Sequence, residues 1–379
     1  MVEYTSMIKT YKFRLYPSNA QKVLLENTIE QCRIVYNNIL AYRKDMWENE
    51  HKSLTAFDTI KLLPEMKEEI PTLRQVYSQI LQNVCQRVNF AYQGFFRRVK
   101  AKDGKAGFPR FKGKYRYDSF TYPQSGFEIN KSKLHLSKIG NITIKQHRPI
   151  EGIIKTCTIR RTATGKWFAC FSCILEDKEP VKDMLPAIGI DMGLERFATL
   201  SNVEKIENPH FFKADQKVIA KAQRKLSKCE KGTKERAKAR RALAHAYEKV
   251  VNRRNNFCHQ ESRKIVNQFN TIVFEDLSIN EMLSDGYRAT NRAIGDVAWG
   301  QFLNFLTYKA EGANKYAIKV NPAYTSQTCS NCGNRHKIEL SDRNYHCPSC
   351  GFEMDRDLNA SINILGLGIQ SLANSLDAP

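Results

Sequence analysis

No stretch of this sequence approaches the ~18 uninterrupted apolar residues that a membrane span needs, and the mean hydropathy is −0.51. The opening MVEYTSMIKTYKFRLYP also lacks the apolar core of a secretory signal. The expectation is a cytoplasmic chain in a reducing compartment, where disulfides are rare, so its eleven cysteines need another explanation. Repeats of solenoid length and long low-complexity linkers are missing as well, which excludes a solenoid. Acids are in short supply: 39 Asp and Glu face 60 Lys and Arg, a formal charge of +21. A field of that sign suits nucleic acid, an acidic membrane face being the plainer alternative.

What is present is enough for a large fold. At ~100–200 residues per domain, 379 residues suggest roughly two to four units. Residues 8–16, IKTYKFRLY, alternate apolar and polar as a strand does, and Ser18 with Gln21 forms a capping-box pattern. A helix follows, with Leu25, Ile29, Cys32, Tyr36 and Ile39 at spacings of three and four. Another carries Leu73, Tyr77, Ile80, Val84, Val88 and Tyr92 after Pro71. Between about 115 and 178 the texture turns to short β-branched runs, including KLHL, NITI and KWFACFSCIL, which read as an antiparallel sheet or small barrel. The opening strand is expected to join that sheet, because alone it would leave both edges unpaired. Beyond Pro186, strands (AIGID, NTIVFED, YAIKVNP) alternate with helices, the mark of an α/β domain.

Four cysteines crowd into 22 residues: Cys329 and Cys332 in CSNCG, Cys347 and Cys350 in CPSCG. Two tight CxxC turns, each closed by glycine, deliver soft ligands in pairs to one tetrahedral Zn²⁺, and four thiolates leave no open position for catalysis. Cys170 and Cys173 make a further CxxC, but on a strand residues three apart face opposite sides, so these thiols are expected to serve packing.

Acids end two apolar runs. Asp191 follows AIGI and Glu275 follows IVF, while Asp355 and Asp357 bracket Arg356 at the start of an apolar helix. Ionised carboxylates are seldom buried without a partner or a metal. Acids from two strand ends and one helix start could hold two Mg²⁺ ions for phosphodiester hydrolysis. Each has a plain alternative as a turn, a solvated loop or a helix cap. Spacing does not choose between Glu275 and Asp276, nor between Asp355 and Asp357.

Two basic stretches suit a phosphate backbone. Residues 213–264 hold seventeen Lys and Arg against five acids, among them Arg224, Arg240, Arg241, Arg253 and Arg254. Residues 95–122 interleave Arg97, Arg98, Lys105, Arg110 and Lys112 with Phe108, Phe111, Tyr115, Tyr117, Phe120 and Tyr122, a mixture that fits RNA or unwound DNA unless the rings are core.

IGIDMGLERFATLS, VFEDLSI, VNPAYTSQTCSNCG and CPSCGFEMDRDLNASINI resemble, in order, the first and second RuvC motifs, the approach to the zinc ribbon, and the third RuvC motif of the TnpB family. These are RNA-guided nucleases of small bacterial and archaeal transposons, related to type V CRISPR effectors. KTYKFRLYPSNAQKVLL and FPRFKGKYR resemble the same family, so the likeness covers nearly the whole chain. It implies Asp191, Glu275 and Asp357 as catalytic, Mg²⁺-binding acids, with Asp355 and Arg356 supporting them. It also implies an α/β RNase H-like RuvC domain (184–324 and 351–379) with an inserted zinc ribbon (325–350). A wedge β-barrel (1–17 and 115–183) carrying a helical recognition insert (18–114) would precede it. The implied partners are a guide RNA from the transposon end and target DNA, double-stranded and unwound, cut beside a short target-adjacent motif. Acid, Glu, acid is a RuvC order; a DDE transposase places Glu last. The rival readings are a nuclease-inactive zinc-ribbon DNA-binding regulator and a guide-independent RuvC-like nuclease.

Overall fold

A computed structural model of the chain describes residues 7–102, 106–176, 181, 183–285, 288–339 and 342–376. Lys105 lies outside the described residues. The chain divides into two compact units, Met1–Asp177 and Lys178–Pro379. Among the described residues no helix is long and apolar enough to cross a membrane.

The first unit opens with β1 (Ile8–Tyr16) and α1 (Asn19–Glu50). The Ser18–Gln21 capping box forms as expected, Ser18 Oγ accepting the Gln21 amide and Gln21 Oε1 accepting the Ser18 amide. Helices α2 (Ala56–Ile60) and α3 (Leu63–Glu69) and a 3₁₀ turn at Pro71–Gln75 lead to α4 (Ser78–Ala101). Six strands follow: β2 (Ser119–Tyr122), β3 (Phe127–Asn130), β4 (Lys133–Leu136), β5 (Gly140–Lys145), β6 (Ile153–Arg161) and β7 (Trp167–Ile174). The sheet order is β2-β6-β7-β1-β5-β4-β3, so the opening strand lies at its centre, antiparallel to β7 and β5. Its two edges meet through Tyr122 on β2, whose hydroxyl donates to the Ser137 carbonyl at 2.9 Å and whose ring meets that of Phe127. This sheet is a near-closed barrel. Its buried side chains form one core with those of α1 and α4, and Arg87 of α4 donates to the Ser119 carbonyl and to Thr121 Oγ1, each at 2.7 Å. On β7, Cys173 is buried and Cys170 half-buried on the other face, so the pair does diverge.

The second unit begins with β8 (Ala187–Met192), β9 (Arg196–Leu200) and β10 (Lys205–Glu207), then the helices α5 (Phe211–Lys228) and α6 (Lys234–Gln268). β11 (Thr271–Glu275), α7 (Ile279–Asp285), α8 (Arg288–Val297), α9 (Trp299–Glu311) and β12 (Tyr316–Val320) continue it. β13 (Asn344–His346), β14 (Glu353–Asp355) and α10 (Arg356–Leu376) complete it. The main sheet runs β10-β9-β8-β11-β12: three antiparallel strands, then two parallel to β8 on its far side. That is the RNase H-like arrangement. Sequence patterning did not register β10, α7 or α8, which are short or weakly apolar.

Strand alternation sorts the two faces of this sheet. Ile188, Ile190, Ile272 and Phe274 pack towards α6 and α9 with Phe302 and Leu306. Gly189, Val273 and Val320 face α10, against Ile364 and Leu365. The helix comes unusually near: a Cβ on Gly189 would lie 2.1 Å from the Ser361 carbonyl oxygen, and one on Gly368 would lie 2.3 Å from Val273 Cγ1. Asp191 and Glu275 stand two residues along from Gly189 and Val273 and so share the α10 face.

Gly189→Ala must push the helix off the strand, because the obstructing atom is backbone. It is expected to cost about 1–3 kcal/mol. Gly366→Ala, with nothing within 4 Å of the added carbon, is expected to be neutral or mildly stabilising. Denaturant melts of the two variants check the contrast; equal stabilities would refute the close crossing.

Candidate active site

β8 and β11 are parallel neighbours with Ile190 opposite Phe274, so Asp191 and Glu275 leave adjacent strands at almost the same height. On the crossing helix, Asp357 lies one turn before Ser361, the residue nearest Gly189, and therefore on the side towards Asp191. The register and the helix crossing thus bring together the three acids expected from sequence. Burial pushes the Asp191 carboxyl well above the ordinary range, and the negative charges of Glu275, Asp357 and Asp355 push it the same way. Glu275 is 7% exposed; burial raises its pKa too, against the hydroxyl of Thr325, which donates to Oε1 at 2.6 Å.

The ambiguous pairs separate geometrically. Asp276 points the other way from Glu275, into solvent, where Lys319 meets it at 3.0 Å. Both oxygens of Asp355 are engaged: Oδ1 accepts the amides of Asp357 and Leu358, both at 3.0 Å, and Oδ2 meets Lys205 at 2.7 Å and Arg196 at 3.5 Å. Burial alone would raise its pKa, but Lys205, the Leu358 amide and Arg196 together hold it below the ordinary value. Asp357 Oδ1 accepts from Arg356 Nη2 and Nε, at 3.2 and 3.3 Å. The donor set left facing inward is oxygen only and like-charged, which is chemistry suited to hard divalent cations.

The four cysteines also converge. Their sulfurs lie within 4.8 Å of one another, with Cys329 Sγ 3.8 Å from Cys350 Sγ and Cys332 Sγ 3.6 Å from Cys347 Sγ. The two knuckles share one construction. Gly333 and Gly351 take φ of +75° and +70°, and their amides donate to the carbonyls of Cys329 and Cys347. Four thiols at this spacing could hold one metal ion. Tyr345 and Phe352 pack beneath them with Ile338.

Sequence reading missed how the two centres are joined. Asn359, fully buried, accepts the Ser330 amide and donates to the Thr328 carbonyl at 2.8 Å. Asn363 donates to the carbonyls of Thr325 and Thr328, at 2.9 and 2.7 Å. Two asparagines four residues apart on an apolar helix were the available signal. Thr325, Lys205 and Arg196 left none.

The basic residues fall into two groups. Arg97, Arg98, Arg110, Arg224, Arg240 and Arg241 are exposed, although Arg98 also donates to the Gly107 carbonyl. Arg253 and Arg254 instead belong to the fold: Arg253 pairs with Asp215 and lies over the Phe211 ring, and Arg254 meets Asp296 at 3.1 Å. Asp296 in turn accepts the amides of Phe212 and Lys213 at the start of α5. Lys112 is half-buried, its backbone bonded to Asn37 and its ammonium over Tyr36. Of the rings in that stretch, Phe108, Phe111 and Tyr115 are exposed, while Tyr117, Phe120 and Tyr122 are core.

Comparison with known proteins bears on both centres. Residues 299–364 match a model described as "Cas12f1-like, TNB domain", residues 171–285 one described as "Probable transposase", and residues 7–52 one described as "Helix-turn-helix domain". In this chain the last of these spans β1 and a single unbroken helix. A Cas12f1–sgRNA–target DNA complex shares the fold at a TM-score of 0.58 and 14% identity, over 95% of this chain and 98% of that one. InsQ of Escherichia coli K12, named for RNA-guided DNA endonuclease activity, is 30% identical over 97% of this chain and 94% of its own length. A Streptomyces pristinaespiralis protein named for the same activity is 34% identical over 96% of this chain and 90% of its own. At that identity and coverage, with the acids and thiols of the quoted motifs in place, the chain belongs to the TnpB family of RNA-guided DNA endonucleases.

Proposed function

We propose that this protein is an RNA-guided, Mg²⁺-dependent DNA endonuclease that cuts both target strands with one active site. The observation that carries this reading is the meeting of Asp191, Glu275 and Asp357 at two neighbouring strand ends and the start of the helix crossing them. Two Mg²⁺ ions held there would supply an activated water and neutralise the leaving oxygen of a phosphodiester. The remaining work belongs to the chain. Thr325 orients Glu275, and Asp355 caps α10 and so aims Asp357. Zinc on Cys329, Cys332, Cys347 and Cys350 would be structural, since four thiolates fill its coordination.

The guide is an RNA from the transposon end, and the target is duplex DNA that unwinds as it pairs with that RNA. Relatives named for RNA-guided activity and a neighbour solved with guide RNA and target DNA support this. In such an arrangement base pairing reads the sequence, and the protein reads a short motif and duplex shape. Exposed Arg97, Arg98, Arg110, Arg224, Arg240 and Arg241 suit the phosphate backbone, so binding should weaken steeply with salt.

Asp191→Ala is expected to lower cleavage by about a thousandfold or more while RNA-dependent DNA binding stays within about twofold. Parallel cleavage and gel-shift assays check this, and metal-dependent cutting that survives in the variant would contradict the assignment.

Cys347→Ser is expected to release zinc, measured by atomic absorption. Because Asn359 and Asn363 tie the knuckle approach to α10, it should also reduce cleavage. A variant that keeps both its zinc and wild-type activity would remove the ribbon from the account.

A further inference from the structure

Arg356 stands between two acids, and only one of them has room for it. Asp355 is taken up by Lys205, Arg196 and two helix amides. The Arg356 amide donates to the Arg343 carbonyl at 2.9 Å, which fixes its backbone, and the side chain, 15% exposed, folds onto Asp357. Nε and Nη2 both reach the same oxygen, Oδ1, at 3.3 and 3.2 Å. The charge of Arg356 also reaches Asp191 across the cluster.

We infer that Arg356 is a resident counter-cation of the acidic cluster, competing with divalent metal for the Asp357 carboxylate. The inference rests on the metal-binding reading of the three acids. An oxygen that accepts two guanidinium hydrogens has its lone pairs already engaged, and a fixed positive charge beside a cation site repels the incoming ion. A guanidinium stays charged at any working pH, so protonation cannot relieve the competition. Only displacement of the side chain can. The benefit to the protein is that Asp357 is held and aimed before metal arrives; the cost is a higher metal concentration for loading.

The test is calorimetric titration of Mn²⁺ into the full chain, with Asp191→Asn as the blank that accounts for ions held elsewhere. Arg356→Gln is expected to bind Mn²⁺ about five- to tenfold tighter than wild type, and Arg356→Lys, which keeps the charge, to stay within about twofold. Arg356→Met, removing the charge while keeping the apolar stem, serves if the glutamine variant does not fold. Affinity that is unchanged or weaker in the charge-free variants overturns the competition and makes Arg356 an organiser of the metal site. If wild type shows no Mn²⁺ binding that Asp191→Asn removes, the metal-binding reading of the acids itself fails.

Discussion

Backbone against backbone at Gly189 and Ser361 is the contact on which the acidic centre depends. A helix normally rests on a sheet through a layer of side chains; here the strand offers none, and α10 settles directly onto β8. The consequence is geometric. From that crossing, two residues along the strand lead to Asp191 and one turn back along the helix leads to Asp357. A second close approach, Gly368 over the side chain of Val273, holds the helix further along, and two residues along β11 stands Glu275. Two glycines thus set the direction of a helix whose first turn must face two strand ends.

The electrostatic arrangement around this point is economical. Five acids crowd into the region, at 191, 275, 276, 355 and 357, in a chain with a surplus of cations. Those outside the proposed metal set are neutralised locally, Asp276 by Lys319 and Asp355 by Lys205 and Arg196. Asp191 feels only the charge of Arg356 across the cluster and Glu275 is held by the Thr325 hydroxyl, and burial still lifts the pKa values of both. Burying two carboxylates that, among the described residues, have no ion pair of their own carries a cost in stability, which a bound divalent cation would offset.

Much of the fold was legible in the sequence because its signals are local. The strand at 8–16, the Ser18 capping box, the diverging thiols of Cys170 and Cys173, and the glycine-closed knuckles all follow from spacing within a few residues. The choices left open were those that depend on distant partners. Nothing within VFED says that its glutamate will meet Thr325 and its aspartate Lys319; that is settled by the pairing of β11 with β12. Arg253 and Arg254 looked like phosphate contacts for the same reason, since Asp215 and Asp296, which hold them, lie about forty residues away in sequence. The rings at 120 and 122 joined the barrel core because they stand on β2 at the sheet's closing edge, with Tyr117 buried just before it, whereas those at 108, 111 and 115 lie on no strand and stay exposed.

The asparagines on α10 give the thiol cluster a mechanical part in the acidic centre. Asn359 and Asn363 are buried or nearly so, and a buried amide that loses its partners costs about 1–3 kcal/mol. Both bond the segment 325–330, which begins with the threonine that orients Glu275 and ends beside Cys329. A shift of the first knuckle therefore acts in two directions: through Asn359 and Asn363 on the helix that presents Asp357, and through Thr325 on Glu275. The acids come from three elements far apart in sequence, and this segment bonds to two of them, to Glu275 at the end of β11 and to α10. Ordering the cysteines orders that segment, so the ribbon serves the centre as a brace through its hydrogen bonds to α10.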